Sequence, residues 1–232
     1  MIVVAHRACP RYAAENSIDG IRKARELGAD AVEIDVRRTL DGVPILMHDR
    51  TAWRTARCPW PVRLMPSGWV RRLRLRGSGA PVPTLRAALA ALPAGLSIAI
   101  DVKHASATDR VVAEVLRGSE VASRVMVWSG RAKAVRVAAR ALPGNEVSLS
   151  REATSRRALR RFLDDAVRLG ARGISARWEV VTADFLDRAH ARGLRVYSWC
   201  EQLDWVAEKR GLPLDGVITD WPVETVQLWR AR

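Results

Sequence analysis

The chain has 232 residues, 48% of them hydrophobic, and a formal net charge of +14. That length suits one large domain with an ample core, and no uninterrupted apolar run is long enough to span a bilayer. Cys9, Cys58 and Cys200 are odd in number and widely spaced, which excludes a disulfide framework or a cysteine zinc site and agrees with a reducing compartment.

The chain goes straight into "MIVVAHR", with no basic leader and no cleavage-site pattern, so a cytoplasmic protein without a signal peptide is expected. Almost all the positive charge is arginine; the lysines are Lys23, Lys103, Lys133 and Lys209. The arginines are spread along the chain, with no basic tail and no groove-reading motif. A solvated positive surface is therefore favoured over nucleic-acid binding.

Short β-like runs alternate with longer helical patterns. "IVVA" (2–5) reads as a buried strand, and Asn16 or Ser17 caps a helix closed by Gly28. "AVEIDV" is the second strand, and "VPILMH" (43–48) is a further extended piece. Residues 49–82 are too long for an ordinary connection and predict an inserted subdomain or lid. Thr84 starts a helix. Strands at 96–103, 124–129, 146–150, 172–176, 194–200 and 215–220 follow, each with a helix behind it; Thr182 caps one of these helices, and Asp220 with Pro222 reads as the N-cap of the last. Some eight strand–helix units in a single domain, 1–232, predict an α/β fold: a (β/α)8 TIM barrel with a small insertion after the second strand region.

In such a barrel function gathers where strands end. Glu33 and Asp35 lie on one face of the second strand, with Val32, Ile34 and Val36 on the other. Barrel strands are covered outside by helices and packed inside, so neither face meets open water. Desolvated like charges hold a proton or need a cation. Asp101, on the third strand, adds another acid. Three carboxylates without cysteines or clustered histidines describe a hard-cation site, Mg²⁺ or Ca²⁺.

His6 and His48 each end a β run above these acids, where one imidazole can hold a proton while the other takes one. His190, on a helix, reads as a surface residue. Arg7 and Lys103 add fixed positive charge; salt bridges to Glu15 and Asp101 are their simpler roles and are compatible with catalysis. Cation, imidazoles, arginine and lysine together suit a phosphate ester.

The stretch "AHRACPRYAAENSIDGIRKARELGADAVEIDVRRTLDGVPILMHD" resembles the opening of glycerophosphodiester phosphodiesterases, and the likeness continues through "VPTLRAAL", "IDVK", "VWSG", "ARGLRVYSW" and "DGVITDWP". The resemblance implies a TIM-barrel hydrolase that cleaves glycerophosphodiesters to glycerol 3-phosphate and an alcohol, by way of a cyclic phosphate where a substrate hydroxyl attacks first. It implies His6 and His48 as the acid–base pair and Glu33, Asp35 and Asp101 as ligands of a divalent cation. Arg7 and Lys103 would hold the phosphate, Glu15 would sit near the metal or the glycerol, and Trp199 would line the pocket. The partner expected is a small phosphodiester, with neither nucleic acid nor a transmembrane segment, and peripheral membrane contact is not favoured.

Three departures bear on the substrate. Asp101 stands where the family commonly has Glu, as in the related sphingomyelinase-D-type phospholipases, which release a cyclic phosphate. The first loop has "ACPRYAA" in place of the usual Gly and Pro, and residues 53–76 are unusually rich in Arg and Trp. Trp60 and Trp69 read as packing or as an apolar rim. A catalytically retired basic binding protein is the alternative from outside enzyme chemistry.

Overall fold

A computed structural model describes residues 1–200 and 202–230. The strands are β1 (Ile2–Ala5), β2 (Ala31–Arg38), β3 (Pro44–Leu46), β4 (Thr51–Ala52), β5 (Cys58–Pro61), β6 (Ser97–Val102), β7 (Val125–Ser129), β8 (Glu146–Arg151), β9 (Gly173–Arg177), β10 (Arg195–Cys200) and β11 (Gly216–Thr219). β1, β2 and β6 to β11 pair in parallel, and β1 bonds to both β2 and β11, so the sheet closes into an eight-stranded TIM barrel. β3 adds antiparallel to β2, and β4 pairs with β5 in a small separate sheet.

The helices are α1 (Ile18–Glu26), α2 (Trp53–Ala56), α3 (Ser67–Val70), α4 (Leu85–Ala90), α5 (Thr108–Arg117), α6 (Ser119–Ala122), α7 (Ala132–Ala141), α8 (Arg156–Arg168), α9 (Ala183–His190), α10 (Leu203–Glu208) and α11 (Pro222–Arg230). Ser17, not Asn16, caps α1, its Oγ accepting from Gly20 N at 3.0 Å, and Thr182 caps α9 on Phe185 N at 3.2 Å. Each cap satisfies a backbone donor that the first helical turn leaves unpaired.

Strand alternation sorts the core into two layers. Val32, Ile34 and Val36 pack outward with Ile98, Ile100 and Val102 against the helices. Ala31, Ala99, Met126, Trp128 and Tyr197 fill the barrel interior. Trp128 and Tyr197 hold their ring centroids 5.0 Å apart, and the Tyr197 hydroxyl donates to Glu146 Oε2 at 2.8 Å. Gly216 is required here: a Cβ on it would lie 2.6 Å from Tyr197 Cδ1. The interior is thus plugged below, and a polar pocket opens towards the strands' C-terminal ends.

Residues 49–82 fold on a cluster of their own. Ala52, Val62, Met65, Val70, Leu75 and Val82 pack with Ile45 and Met47 of the adjoining barrel edge. The hairpin β4–β5 and the single-turn helices α2 and α3 were not readable from periodicity, because each is only two to four residues long.

Candidate active site

The acids come together as strand pairing dictates. β2 and β6 are in a register that sets Asp35 beside Asp101 and Glu33 beside Ala99. The alternation that turns Val32, Ile34 and Val36 outward turns both β2 acids inward. Glu33, Asp35 and Asp101 each offer an oxygen within 4.8 Å of the others. Glu33 and Asp35 are buried, 4% and 1% exposed.

Other groups close around them. Arg7 N–H donates to Glu33 Oε2 at 2.8 Å. Asn16 clasps Asp35 twice: its amide N–H donates to Oδ2 at 2.8 Å, and its carbonyl accepts from Asp35 N at 2.9 Å. Lys103 Nζ lies 2.6 Å from Asp35 Oδ1 and 2.5 Å from Asp101 Oδ2. Arg7 Nε is 3.6 Å from Asp35, and its other end is 3.8 Å from Glu15. The expected salt bridges of Arg7 and Lys103 are therefore present.

The loop after β1 delivers Arg7 at a conformational cost. Arg7, Ala8 and Cys9 adopt left-handed φ of 42°, 58° and 61° in succession. Each non-glycine residue held there costs about 1–2 kcal/mol. Gly20 lets α1 seat against this turn, since a Cβ on it would lie 1.9 Å from Ala8 O.

The charges make a cation a good fit. Burial first, and Asp35 second, raise Glu33 to about 8. Burial opposes the charge on Asp35 as well, but Lys103, His48 and Arg7 outweigh it and hold Asp35 down at about 2. Within the pair, Glu33 keeps the proton and Asp35 the charge. Burial raises Asp101 too, and its Oδ1 is buried without a hydrogen-bond partner. An orphaned carboxylate oxygen beside two more carboxylates, with no nitrogen or sulfur donor, matches the all-oxygen preference of hard divalent cations.

The two histidines stand at this rim with unlike surroundings. His6 Nδ1 lies 2.8 Å from Asp220 Oδ1 and His48 Nδ1 lies 2.7 Å from Asp49 Oδ1, which leaves Nε2 of each for chemistry. Burial lowers both. In His6 the Asp220 hydrogen bond and the Glu33 charge more than reverse that, so its pKa is raised. In His48 the Asp35 charge and the Asp49 bond do not, so its pKa is lowered.

A model of the glycerophosphoryl diester phosphodiesterase family matches residues 6–224. The chain belongs to that family. It is a phosphoric diester hydrolase by that membership. A probable glycerophosphodiester phosphodiesterase 2 of Mycobacterium tuberculosis is 30% identical over 94% of this chain and 87% of its own. Matches to mammalian glycerophosphodiester phosphodiesterase 1 span only 33–35% of those proteins. In structure, a glycerophosphodiester phosphodiesterase from Parabacteroides distasonis aligns at a TM-score of 0.86, with 23% identity over 100% of this chain and 97% of that one. An Oleispira antarctica phosphodiesterase solved with the product sn-glycerol-3-phosphate aligns at 0.85, with 18% identity over 98% of this chain and 96% of that one.

In this phosphodiesterase the mouth is a cavity of about 490 Å³ lined by His6, Arg7, Glu33, Asp101, Lys103 and Trp199 among others. Glu15 is not on its wall; it forms a two-point pair with Arg54 at 2.5 and 2.8 Å. Arg54, from the inserted segment, also holds Asp49 Oδ2 at 2.8 Å. Asp220 corrects the sequence reading: α11 begins at Pro222, so the cap position is Trp221, and the Asp220 carboxylate turns to His6 instead. Asn16, the other cap candidate for α1, serves Asp35. Asp49, Arg54 and Arg131 also border this region without having been assigned roles. Only Asp49 carried a signal, its place beside His48; the others have partners or walls that lie far off in sequence.

Proposed function

We propose that this chain hydrolyses glycerophosphodiesters to glycerol 3-phosphate and an alcohol, with His6 and His48 as the proton carriers and Glu33, Asp35 and Asp101 as ligands of a divalent cation. The family membership gives the reaction class; the observation that carries the site is the trio of converging carboxylates beneath two carboxylate-paired imidazoles. Residues 1–232 act as one barrel domain in this reading, with 49–82 as an inserted segment beside the site.

The charge balance supports a phosphodiester ligand. Once cation binding has displaced the Glu33 proton, three carboxylates against Lys103 and Arg7 leave one net negative charge. A dication and a singly charged diester together bring the site to neutrality. When bound, the cation would supply Lewis-acid stabilisation of charge on the non-bridging oxygens. Arg7 and Lys103 sit where they would hold those same oxygens, and Trp199 would pack against the organic part.

The histidines divide the proton work by environment. His6, raised by Asp220, is the readier of the two to hold a proton and would donate Nε2–H to the departing alkoxide. His48, lowered by burial, is the readier of the two to give up its proton and, when neutral, would accept the proton of the attacking hydroxyl, from water or from the substrate itself. Where a substrate hydroxyl attacks first, the two exchange roles as water opens the cyclic phosphate. Asp220 and Asp49 fix the tautomers through Nδ1.

The test is turnover of glycerophosphocholine, glycerophosphoethanolamine and glycerophosphoinositol with Mg²⁺ or Ca²⁺, followed by ³¹P NMR. Glycerol 3-phosphate should accumulate, and chelator should abolish it. His6→Ala and His48→Ala should each lose a factor of about 10²–10⁴ in kcat while remaining folded. Full turnover in either variant overturns the role assignment. A cyclic phosphate as the stable end product reassigns the reaction to the cyclising type.

A further inference from the structure

The inserted segment carries more apolar and basic surface than its packing uses. Between residues 50 and 100 there are nine arginines and no Asp, Glu or Lys. This stretch therefore supplies most of the net +14. Among the described residues, Arg50, Arg57, Arg63, Arg71, Arg72 and Arg74 are exposed and make no ion pair with a carboxylate. Five of the nine exposed large apolar side chains among the described residues fall within 40–69: Leu40 (57%), Trp53 (62%), Trp60 (67%), Leu64 (50%) and Trp69 (62%).

These side chains are surplus to folding. The segment's own core is complete without them: Val62 and Val70 are 1% and 0% exposed, while their near neighbours Leu64 and Trp69 stand in solvent. Trp60 is held between Pro59 and Pro61 on β5, so it is displayed on stiff backbone and loses little freedom on contact. Three exposed indoles within one short segment point to an interaction surface, since single exposed apolar residues scattered along a chain are the norm.

We infer that the 49–82 subdomain docks this protein on an anionic lipid bilayer, with Trp53, Trp60 and Trp69 in the headgroup layer and the surrounding arginines on lipid phosphates. Indole rings prefer the boundary between water and acyl chains, because one end is apolar and the other can hydrogen-bond. Arginine guanidiniums bind phosphate oxygens through paired donors, and a basic surface is drawn to anionic lipid. The aliphatic Leu40 and Leu64 decide between a bilayer and a nucleic acid: they can enter an acyl layer but cannot stack as a ring on bases. Arg54 ties this subdomain to Glu15, whose carboxylate also lies 3.8 Å from Arg7 of the cavity wall, so the docking surface is linked to the catalytic mouth. The inference does not depend on the proposed reaction.

Vesicle co-sedimentation of the full chain tests it. The lipids are phosphatidylcholine alone, and phosphatidylcholine with about 30 mol% phosphatidylglycerol. Binding to the anionic vesicles should be at least about tenfold tighter than to neutral ones, and should weaken at least about tenfold when salt rises from about 0.05 to 0.5 M. Trp60→Ser with Trp69→Ser, and separately Arg63→Glu with Arg72→Glu, should each weaken it about tenfold or more while leaving the melting temperature unchanged. Absence of binding at low salt overturns the proposal. So does equal binding by the wild type and both folded variants. Displacement from vesicles by a single-stranded oligonucleotide, with indole quenching, also overturns it and assigns the surface to nucleic acid.

Discussion

Stripping divalent cation from the protein should reveal a proton on Glu33. Its folded pKa is raised from the ordinary 4.5 to about 8, first by burial and then by Asp35. Between those values the folded state holds a proton at Glu33 that the unfolded chain has released. Stability therefore falls as pH rises through that window, by about 1.4 kcal/mol per pH unit, or about 2 kcal/mol from pH 5.5 to 7. Asp35 has the opposite sign and a different window: its stabilisation is lost only as pH falls from 3.8 to about 2. His6, raised, adds to the loss as pH passes upward through its folded value, and His48, lowered, opposes it.

Glu33→Gln isolates the contribution, because the amide oxygen can still accept the Arg7 N–H bond while carrying no charge. Urea unfolding in chelator should give the wild type a slope steeper than Glu33→Gln by about one proton across pH 5.5–7. Calorimetric titration of Mg²⁺ or Ca²⁺ near pH 7, in buffers of different ionisation enthalpy, should show release of nearly one proton per ion from the wild type and much less from Glu33→Gln. Parallel stability curves for the two proteins, or cation binding without proton release, refute this account of the acid cluster.

Asp220→Asn should move the alkaline limb of the kcat profile to lower pH, because His6 loses the partner that raises it, and should reduce kcat about 10–100-fold. Asn16→Ala removes two hydrogen bonds to buried Asp35 and should lower unfolding free energy by about 2–3 kcal/mol in denaturant melts. Gly20→Ala drives a Cβ to 1.9 Å from Ala8 O and should cost about 1–3 kcal/mol, with a larger fall in turnover than the stability change predicts because the Arg7 loop is displaced. Arg54→Ala should change stability by less than about 1 kcal/mol, since its pairs are partly exposed, yet lower kcat several-fold through Asp49 and His48, with partial rescue by Arg54→Lys.

What the sequence disclosed follows from the range of the interactions. Eight buried runs separated by amphipathic helices specify the barrel locally, and strand alternation alone turns Glu33 and Asp35 to one side. Asp220 was misread because Asp before Trp-Pro has a plausible local use, whereas its partner His6 is 214 residues away. Of the two cap candidates for α1, Ser17 takes the cap, and Asn16, at φ 54°, is turned to Asp35 across 19 residues, a use that no local pattern carries. Arg54 sits in a stretch of short turns and prolines, where neither a period of two nor of 3.6 can develop. "VPILMH" shows the converse limit: only Pro44–Leu46 is strand, and it pairs antiparallel outside the ring, a distinction that composition does not carry.

The division between strands and loops also sets how the site can fail. The charge-holding groups Glu33, Asp35, Asp101 and Lys103 belong to β2, β6 and the residue after it, so their positions follow from barrel register and their loss is felt in stability and cation binding. The proposed proton carriers His6 and His48 stand on loops, and each is paired with a carboxylate one step further out: Asp220 for His6 and Asp49 for His48. Neither carboxylate is among the acids that converge below. Changes at Asp49, Arg54 and Asp220 should therefore alter rate and pH profile at nearly constant melting temperature, whereas changes at Asn16, Glu33 and Asp35 should alter melting and cation affinity first. A variant of the outer set that loses cation affinity before it loses rate would show that the loops and the strand ligands are one mechanical unit, contrary to the separate anchoring of their hydrogen bonds.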